Sequence, residues 1–366
     1  MNARLLKLRT LLKIKKLDAV LVSSIPNIIY LTGFTGFSKD EREAFLLITK
    51  TKQYIITDGR YSEAVLEKIT HFNLLEVSSQ NSIKNLLGKI IQKHKIKKLA
   101  IEEKNLTLYE NKTLFDHYNN IHHCSDIINS LRAVKGSNEI KLIENACRLG
   151  DKTFDYLLKE IKLGVSEKEL ALKIEFFIRK MGGDISFPPI VAFGSNSSVP
   201  HHVSGNQKLK KRSIVLLDFG VRINNYCSDM TRTVFFGSST DELKRMYSTV
   251  LEAQNLAIQQ FNNLTMEQLG RGIKAYKIDE TARDYIISKG YPTIPHSLGH
   301  GIGVEVHELP RLSPRSTDII KPGMVFSIEP GIYVPGFGGI RIEDLVVIQN
   351  DKLKIITHSP KTFIEL

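Results

Sequence analysis

The sequence contains few cysteines and no long apolar run. Its three cysteines are too few and too scattered for a disulfide framework or a thiolate zinc site; they are Cys124, Cys147 and Cys227. We therefore predict reduced thiols and a cytoplasmic location. No run of about 18 apolar residues is present, so we expect no membrane-spanning segment. The N-terminal residues alternate apolar and charged side chains without a small-residue cleavage site, which favours an amphipathic helix over a secretory signal.

The chain is strongly basic but lacks a nucleic-acid-binding motif. Its net charge of +12 would suit an acidic partner. The lysines are spread along the chain, however, and the densest cluster, between residues 84 and 98, alternates with isoleucines as the exposed face of a helix does. We therefore predict no nucleic-acid partner.

The first third of the chain has the pattern of an α/β domain. Short aliphatic runs alternate there with helical patterns at residues 60–70 and 81–95. We also expect residues 24–34 to form a strand that ends in a turn at Gly33. The other predicted strands are residues 18–24, 44–49, 53–58 and 98–103.

The length and a break in the pattern together predict two domains. A chain of 366 residues exceeds the usual size of one compact core. The alternation of strands and helices stops around residues 125–132, and a long helical stretch follows. We therefore place the N-terminal domain at residues 1–128 and the second domain at residues 129–366.

The second domain mixes helices with strands. Ser137 or Asn138 is the expected N-cap of its first helix, and Asn224–Asn225 is a hairpin-turn signal. Residues 291–366 have the pattern of strands joined by loops rich in glycine and proline. The predicted helices are residues 139–161, 167–181, 241–262 and 265–289.

Five polar residues lie in or beside apolar runs that are typical of buried strands. They are Asp218, Asp229, His300, Glu329 and Glu343. Burying a carboxylate costs several kcal/mol unless a cation compensates its charge. Two arginines, Arg232 and Arg341, are too few to neutralise this set. Two divalent cations would balance the four carboxylates, while separate buried salt bridges are the alternative at this point.

The segments around these residues form motifs in a fixed order. They are DFG with SDMTRT, HSLGHGIGVEVHE, SIEPGIY and GGIRIED, which lie between residues 218 and 344. Together they resemble the Xaa-Pro peptidases of the pita-bread metallopeptidase family, which includes aminopeptidase P and prolidase. The earlier runs NIIYLTGF, TDGRY and RAVKGSNEI resemble the creatinase-type N-terminal domain and its junction.

The resemblance implies a fold, a cofactor and partners. The fold is a creatinase-like α/β N-terminal domain followed by an α+β pita-bread catalytic domain. Proline-containing peptides are the implied substrates, and a homodimer is the implied assembly. The cofactor is two divalent ions per chain, with Mn²⁺ preferred and Co²⁺, Fe²⁺ or Zn²⁺ as alternatives. The implied metal ligands are Asp218, Asp229, His300, Glu329 and Glu343.

The same resemblance implies roles for residues beside the metals. His201 and His307 match histidines that are not ligands, and Glu329 is the candidate for carrying the proton of the attacking water. His202 is the alternative to His201, although the position directly after Pro200 fits better. Three glycines around His300 favour a tight loop over a helix, with a simple turn as the alternative.

Arg341 has three interpretations. The resemblance implies that it supports the site, whereas the simpler interpretation is an ion pair with Glu343 or Asp344. It is also a candidate for binding the carboxylate of a dipeptide substrate, as is Arg60 of a partner subunit.

Within this family we favour an Xaa-Pro aminopeptidase, because the catalytic segment has no long insertion that would close the cleft against longer peptides. A strict Xaa-Pro dipeptidase, or prolidase, is the main alternative. Methionine aminopeptidase is disfavoured by the GIRIED motif and the N-terminal domain, and creatine hydrolysis by the full ligand set. A non-catalytic pita-bread binding protein is the alternative of another class.

Overall fold

The computed structural model of the chain describes residues 3–38, 41–116, 118, 120–124, 126–262, 271–349 and 352–366. The chain divides into two compact units, Met1–Arg132 and Ala133–Leu366. The domain limits predicted from the sequence, 1–128 and 129–366, stay a prediction. Among the described helices, none combines the length and the apolar composition that crossing a bilayer requires.

The first unit is a mixed sheet with helices. Its strands are β1 (Ala19–Val22), β2 (Ala44–Thr49), β3 (Gln53–Asp58), β4 (Asn73–Val77), β5 (Leu99–Ile101) and β6 (Ile121–His123). They form one six-stranded sheet in the order β4-β3-β2-β1-β5-β6. Strand β2 runs antiparallel to both of its neighbours, and the remaining pairs are parallel. The helices are α1 (Ala3–Ile14), α2 (Ile25–Thr32), α3 (Gly59–Lys68), α4 (Ile83–Lys93), α5 (Leu108–Phe115) and α6 (Asp126–Ala133).

This architecture confirms the α/β prediction but corrects one element. The segment 24–34 is not a strand, because residues 25–32 form helix α2. Pro26 lies in its first turn, where its fixed φ favours a helix, and Gly33 ends it in a left-handed conformation (φ 78°). Every residue of α2 except Thr32 is buried. A helix buried all round has no polar face, and its sequence therefore resembles a buried strand.

The second unit contains several smaller sheets. Its strands are β7 (Asp184–Ile185), β8 (Ile190–Phe193), β9 (Ser213–Phe219), β10 (Val221–Ile223), β11 (Tyr226–Cys227), β12 (Met230–Phe236), β13 (Ile273–Lys274), β14 (Gly299–Gly301), β15 (Glu308–Leu312), β16 (Ile319–Ile320), β17 (Val325–Ile328), β18 (Gly331–Val334), β19 (Gly338–Arg341), β20 (Asp344–Gln349) and β21 (Lys352–Ile355). The two sheets that matter for the site have the orders β12-β9-β8 and β15-β14-β17-β20-β21.

Pairs of helices cover these two sheets. The helices are α7 (Ser137–Glu160), α8 (Glu167–Lys180), α9 (Asp241–Asn262) and α10 (Ala275–Ser288), with a 3-10 turn at Gly194–Ser198. Apolar side chains of α7 and α8 pack with β8, β9 and β12 in one core. Those of α9 and α10 pack with β17 and β20 in another. Each sheet therefore has a rigid backing.

Two predicted helices differ in part from the structure. Helix α7 is capped by Gly136 instead of Ser137 or Asn138, and the Glu139 carboxylate accepts a hydrogen bond from the Gly136 amide (2.9 Å). Ser137 is the first helical residue, so its side chain is not at the cap position. Of the helix expected over residues 265–289, Ala275–Ser288 form α10 and Ile273–Lys274 form strand β13 instead; residues 263–270 lie outside the described part of the chain.

Candidate metal centre and active site

An antiparallel ladder places the two aspartates at one end of a sheet. Asp218 lies near the end of β9, and Asp229 immediately precedes β12. Phe219 pairs with Met230 and Asp218 with Thr231, so the two carboxylate-bearing positions are close. The predicted hairpin turn between them occurs at Asn224–Asn225, where both residues have positive φ (47° and 74°).

The larger sheet supplies the other three predicted ligands. His300 is the middle residue of β14, Glu329 directly follows β17, and Glu343 directly precedes β20. Ile328 of β17 pairs with Asp344 of β20, which puts Glu329 and Glu343 at the same edge. The Glu343 amide donates to the Thr231 carbonyl of β12 (3.1 Å), which links this edge to the aspartate ladder.

The structure brings these side chains together. Ligand atoms of Asp229, His300 and Glu343 all lie within 4.8 Å of one another. His300 Nε2 is also 3.3 Å from Glu329 Oε1 and 3.7 Å from Asp229 Oδ2. Asp218 joins the group electrostatically, because its charge acts on Asp229, His300 and Glu343.

The group carries more buried negative charge than its protein partners neutralise. Burial, followed by the charges of Glu343 and Asp218, raises the pKa of Asp229 well above its usual range. Burial, followed by the charges of Glu329 and Asp218, does the same for the pKa of Glu343. Glu329 differs: burial raises its pKa, but the hydrogen bond and charge of His300 outweigh this and lower it to about 2.

Three carboxylate oxygens of this group suit a bound cation. Asp218 Oδ1, Asp229 Oδ1 and Glu343 Oε1 are buried, and within the described part of the chain none of them accepts a hydrogen bond. Buried carboxylate oxygens are normally satisfied, because leaving them without a partner is costly. Carboxylates with one imidazole are the donor set that Mn²⁺ and similar divalent ions prefer. The residues present therefore fit the divalent metals that the sequence indicated.

Arg341 does not pair with Glu343 or Asp344, so that simpler interpretation is wrong. Its guanidinium donates to Asp218 Oδ2 (2.5 Å), to the Thr231 hydroxyl (3.0 Å) and to the Tyr333 hydroxyl (2.9 Å). Asp344 instead binds the buried Arg232 (2.7 Å). Arg341 ends β19, which packs against β9 and β12, and this packing directs it to Asp218.

Sequence reasoning assigned no role to His296, which the structure connects to this network. His296 Nε2 lies 2.8 Å from the Tyr333 hydroxyl, and its Nδ1 lies 2.8 Å from the Ser297 carbonyl. The carbonyl can only accept, so Nδ1 carries the proton and Tyr333 donates to Nε2. Arg341 in turn donates to Tyr333. The available signal was the position of His296 at the start of the HSLGH motif.

The three remaining histidines have different environments. The ring centroids of His307 and His300 are 4.3 Å apart. Burial, followed by the charge of His300, lowers the pKa of His307, so His307 is neutral at neutral pH. His202 Nε2 lies 2.8 Å from the buried carboxylate of Glu167. His201 is exposed, and its charge lowers the pKa of both His296 and His307. Of the two neighbours, His201 is therefore the one whose charge acts on His296 and His307.

Two of the three glycines around His300 lie in a strand instead of the expected loop or turn, whereas Gly303 lies in a bend outside it. Gly299 and Gly301 belong to β14, and a Cβ on either would lie 2.0 Å from a main-chain oxygen, that of Ser327 or of Leu309. Glycine is needed because neighbouring backbone approaches so closely, which a sequence pattern does not distinguish from a turn.

We expect Gly301→Ala to destabilise the protein by more than about 3 kcal/mol, because backbone must move to admit the methyl group. Gly88→Ala is the matched control. Gly88 lies in α4 with no atom within 4 Å of the place that a methyl group would occupy, so alanine there should add up to about 1 kcal/mol of stability. Urea unfolding of both variants measures the two changes, and an unaltered free energy of unfolding in Gly301→Ala would contradict the account.

Comparison with known proteins agrees with this geometry. Residues 141–350 match the model of metallopeptidase family M24, and residues 4–134 match the creatinase/prolidase N-terminal domain. An uncharacterized peptidase of Bacillus subtilis, YqhT, is 37% identical over 367 residues, which cover 99% of this chain and 100% of that protein.

Solved structures show the same fold. An Xaa-Pro dipeptidase from Bacillus anthracis is 35% identical, with a TM-score of 0.90 and coverage of 99% of both chains. An X-Pro aminopeptidase from Thermotoga maritima is 33% identical, with a TM-score of 0.83 and coverage of 96% of this chain and 98% of the other. These matches confirm the resemblance and the two-domain fold expected from the sequence. The chain belongs to metallopeptidase family M24, with a creatinase/prolidase N-terminal domain preceding its catalytic domain.

Proposed function

We propose that this chain hydrolyses the peptide bond between an N-terminal residue and a following proline, using two divalent metal ions with Mn²⁺ preferred. The observation that carries the proposal is the buried group of four carboxylates and one histidine with three unsatisfied carboxylate oxygens. Both solved relatives described above are named for action on Xaa-Pro substrates. The ligands would be Asp218, Asp229, His300, Glu329 and Glu343.

When bound, the metal ions would make water nucleophilic at neutral pH and polarise the substrate carbonyl. Glu329 is ionised, and it is the carboxylate proposed to accept the proton of the attacking water and pass it to the proline nitrogen. His307 is neutral and exposed, so its N–H is available to donate to the oxygen that gains charge. His201 is proposed to assist in this role. Arg341 holds Asp218 in position.

We further propose that peptides longer than a dipeptide are accepted. A strict dipeptidase requires a cation that binds the carboxylate of the substrate proline. Arg341 does not fill this role, since it is buried and its guanidinium already serves Asp218, Thr231 and Tyr333. Arg60 is exposed but held by Asp58 (2.9 Å).

A strict Xaa-Pro dipeptidase is the second candidate, and Arg311 is the observation that favours it. Arg311 is exposed on β15 and pairs directly with His300 across the sheet, so the two side chains share a face. Its charge also lowers the pKa of His307. Arg311 is therefore positioned to bind a carboxylate near the catalytic group.

The test compares kcat/KM for Ala-Pro with that for Ala-Pro-Ala in the same buffer with Mn²⁺. We expect both peptides to be cleaved, with kcat/KM values that differ by less than about tenfold, because the proposed site assigns no residue to the proline carboxylate. Cleavage of the dipeptide alone would contradict the longer-peptide proposal. In that case Arg311→Met should lower kcat/KM for Ala-Pro by about tenfold, while the exposed Arg315→Met should not.

A further inference from the structure

Glu167 is a fully buried carboxylate whose hydrogen bonds all go to one short segment. It lies at the first position of α8, and its side chain is 0% exposed. Oε1 accepts from the Phe193 amide (2.8 Å) and the Asn196 side chain (2.8 Å). Oε2 accepts from His202 Nε2 (2.8 Å) and the Gly205 amide (3.0 Å). One carboxylate thus ties together the beginning and the end of residues 193–205, which we call the histidine segment.

The histidine segment is also attached to the strand that carries Arg341. The Gly339 amide of β19 donates to the Ser197 hydroxyl (2.8 Å), and Arg341 donates to the Pro200 carbonyl (3.4 Å). A Cβ on Gly339 would lie 2.1 Å from the Ser197 carbonyl oxygen, so the two backbones are in close contact. The segment is therefore fixed on one side by Glu167 and on the other by β19.

The charge state of Glu167 suits this arrangement. Burial raises its pKa, but the hydrogen bonds from His202, Asn196 and the two main-chain amides outweigh burial and lower the pKa below its usual value. The carboxylate is accordingly ionised at neutral pH and accepts four hydrogen bonds. A glutamine in its place would direct an NH₂ group at two of the four donors, and those donors would lose their acceptor.

We propose that Glu167 and His202 form a clamp that positions His201 for catalysis. His201 and His202 share a peptide unit, so fixing the His202 imidazole fixes the backbone from which the His201 side chain extends. His201 itself is exposed and has no such anchor among the described residues, yet its charge reaches His296 and His307. The clamp explains why two adjacent histidines differ in role: His202 is a positioning residue, and His201 carries the proposed catalytic role. This inference rests on the proposed function of His201.

The first test replaces Glu167 with glutamine and uses Glu169→Gln as the matched control. Glu169 lies two residues further along the same helix. Its carboxylate accepts a hydrogen bond from the amide of the N-cap residue Ser166 (2.7 Å), and among the described residues it makes no hydrogen bond to the histidine segment. We expect Glu167→Gln to lower kcat by about tenfold or more, since small displacements of a catalytic group have effects of this size. The KM of Glu167→Gln should change less than its kcat, and its metal content should equal that of the unaltered protein. The activity and the metal content of Glu169→Gln should also equal those of the unaltered protein.

The second test alters His202, which is easier to replace without unfolding because it is only partly buried. His202→Gln keeps an N–H that can donate to Glu167, whereas His202→Leu removes the donor. We expect the leucine variant to resemble Glu167→Gln and the glutamine variant to recover most of the lost kcat. Equal loss in both variants, or in neither, would overturn the clamp.

Hydrogen exchange provides a readout that does not depend on activity. The Phe193 and Gly205 amides should exchange faster in Glu167→Gln and should be unchanged in Glu169→Gln. Three results for Glu167→Gln would each overturn the proposal. They are unchanged exchange at both amides, a kcat equal to that of the unaltered protein, and a loss of metal in step with kcat. A normal kcat in His201→Ala beside an impaired Glu167→Gln would also overturn it. If the unaltered protein cleaves no Xaa-Pro peptide, the proposed function fails, and exchange at these amides still decides whether the clamp exists.

Discussion

Asp229→Asn is expected to abolish peptide hydrolysis while leaving the fold intact. Asp229 is 5% exposed, its Oδ1 accepts no hydrogen bond from the described residues, and its carboxylate lies within the His300–Glu343 group. Asparagine keeps the shape but removes the charge that would hold a divalent ion. We expect activity to fall by more than about 100-fold. Loss of a residue that only hydrogen-bonds to a metal ligand already lowers metal affinity or activity by up to about 100-fold, and Asp229 is a proposed ligand itself.

The stability of the metal-free variant distinguishes this explanation from misfolding. The pKa of Asp229 is raised in the folded chain, so its ionised form destabilises the metal-free fold at neutral pH. Asp229→Asn should therefore melt at the same temperature as the unaltered metal-free protein or above it, and added Mn²⁺ should no longer raise that temperature. Full activity in this variant, or an unchanged response to Mn²⁺, would contradict the assignment.

Asp344→Asn is the contrasting control. Asp344 is also a buried carboxylate, but it is paired with Arg232 (2.7 Å) and Lys361 (2.6 Å). Removing its charge leaves Arg232 buried without its ionic partner, which should cost about 3–5 kcal/mol of stability with or without metal. We therefore expect Asp344→Asn to lower the melting temperature of the metal-free protein, which Asp229→Asn should not do.

His307→Ala is expected to lower kcat by about 100-fold or more with the metal content unchanged. The reason is that His307 lies beside His300 without being among the proposed ligands, and loss of one donor to a developing oxyanion has effects of this size. His358→Ala is the control, because that histidine is exposed and its main-chain amide, not its ring, donates to Asp151. Metal analysis accompanies the kinetics. A metal content that falls in step with kcat would show that His307 is a ligand.

Local signals predicted much of the fold. The hairpin at Asn224–Asn225 was predictable because both residues tolerate the positive φ that its turn requires. Four of the six strands of the first unit, β1, β2, β3 and β5, were predictable because short aliphatic runs ended at polar residues, whereas β4 and β6 were not predicted. Helix α2 was not, because a helix buried on all sides lacks the polar face that marks its period. The strand through Gly299 and Gly301 was not predicted. Its glycines are needed because main-chain atoms of residues farther along the sequence lie too close to admit a side chain.

The site was predictable in composition but not in its pairings. Charged residues inside apolar runs identified the acidic group, since burial of that many carboxylates demands cations. The partner of Arg341 was not predictable, because Asp218 is 123 positions away while Glu343 and Asp344 are close in sequence. The link from His296 to Tyr333 likewise depends on strand packing. The homodimer stays a prediction, which light scattering at working concentration would test.

The central claim is that a divalent metal pair in the Asp229–His300–Glu343 group supports hydrolysis before proline. Titration of metal-stripped protein with Mn²⁺, with the cleavage of Ala-Pro-Ala followed at each addition, tests this most directly. We predict no cleavage without metal and full activity at two equivalents per chain. Full cleavage of Ala-Pro-Ala by protein from which all metal has been removed would contradict the claim.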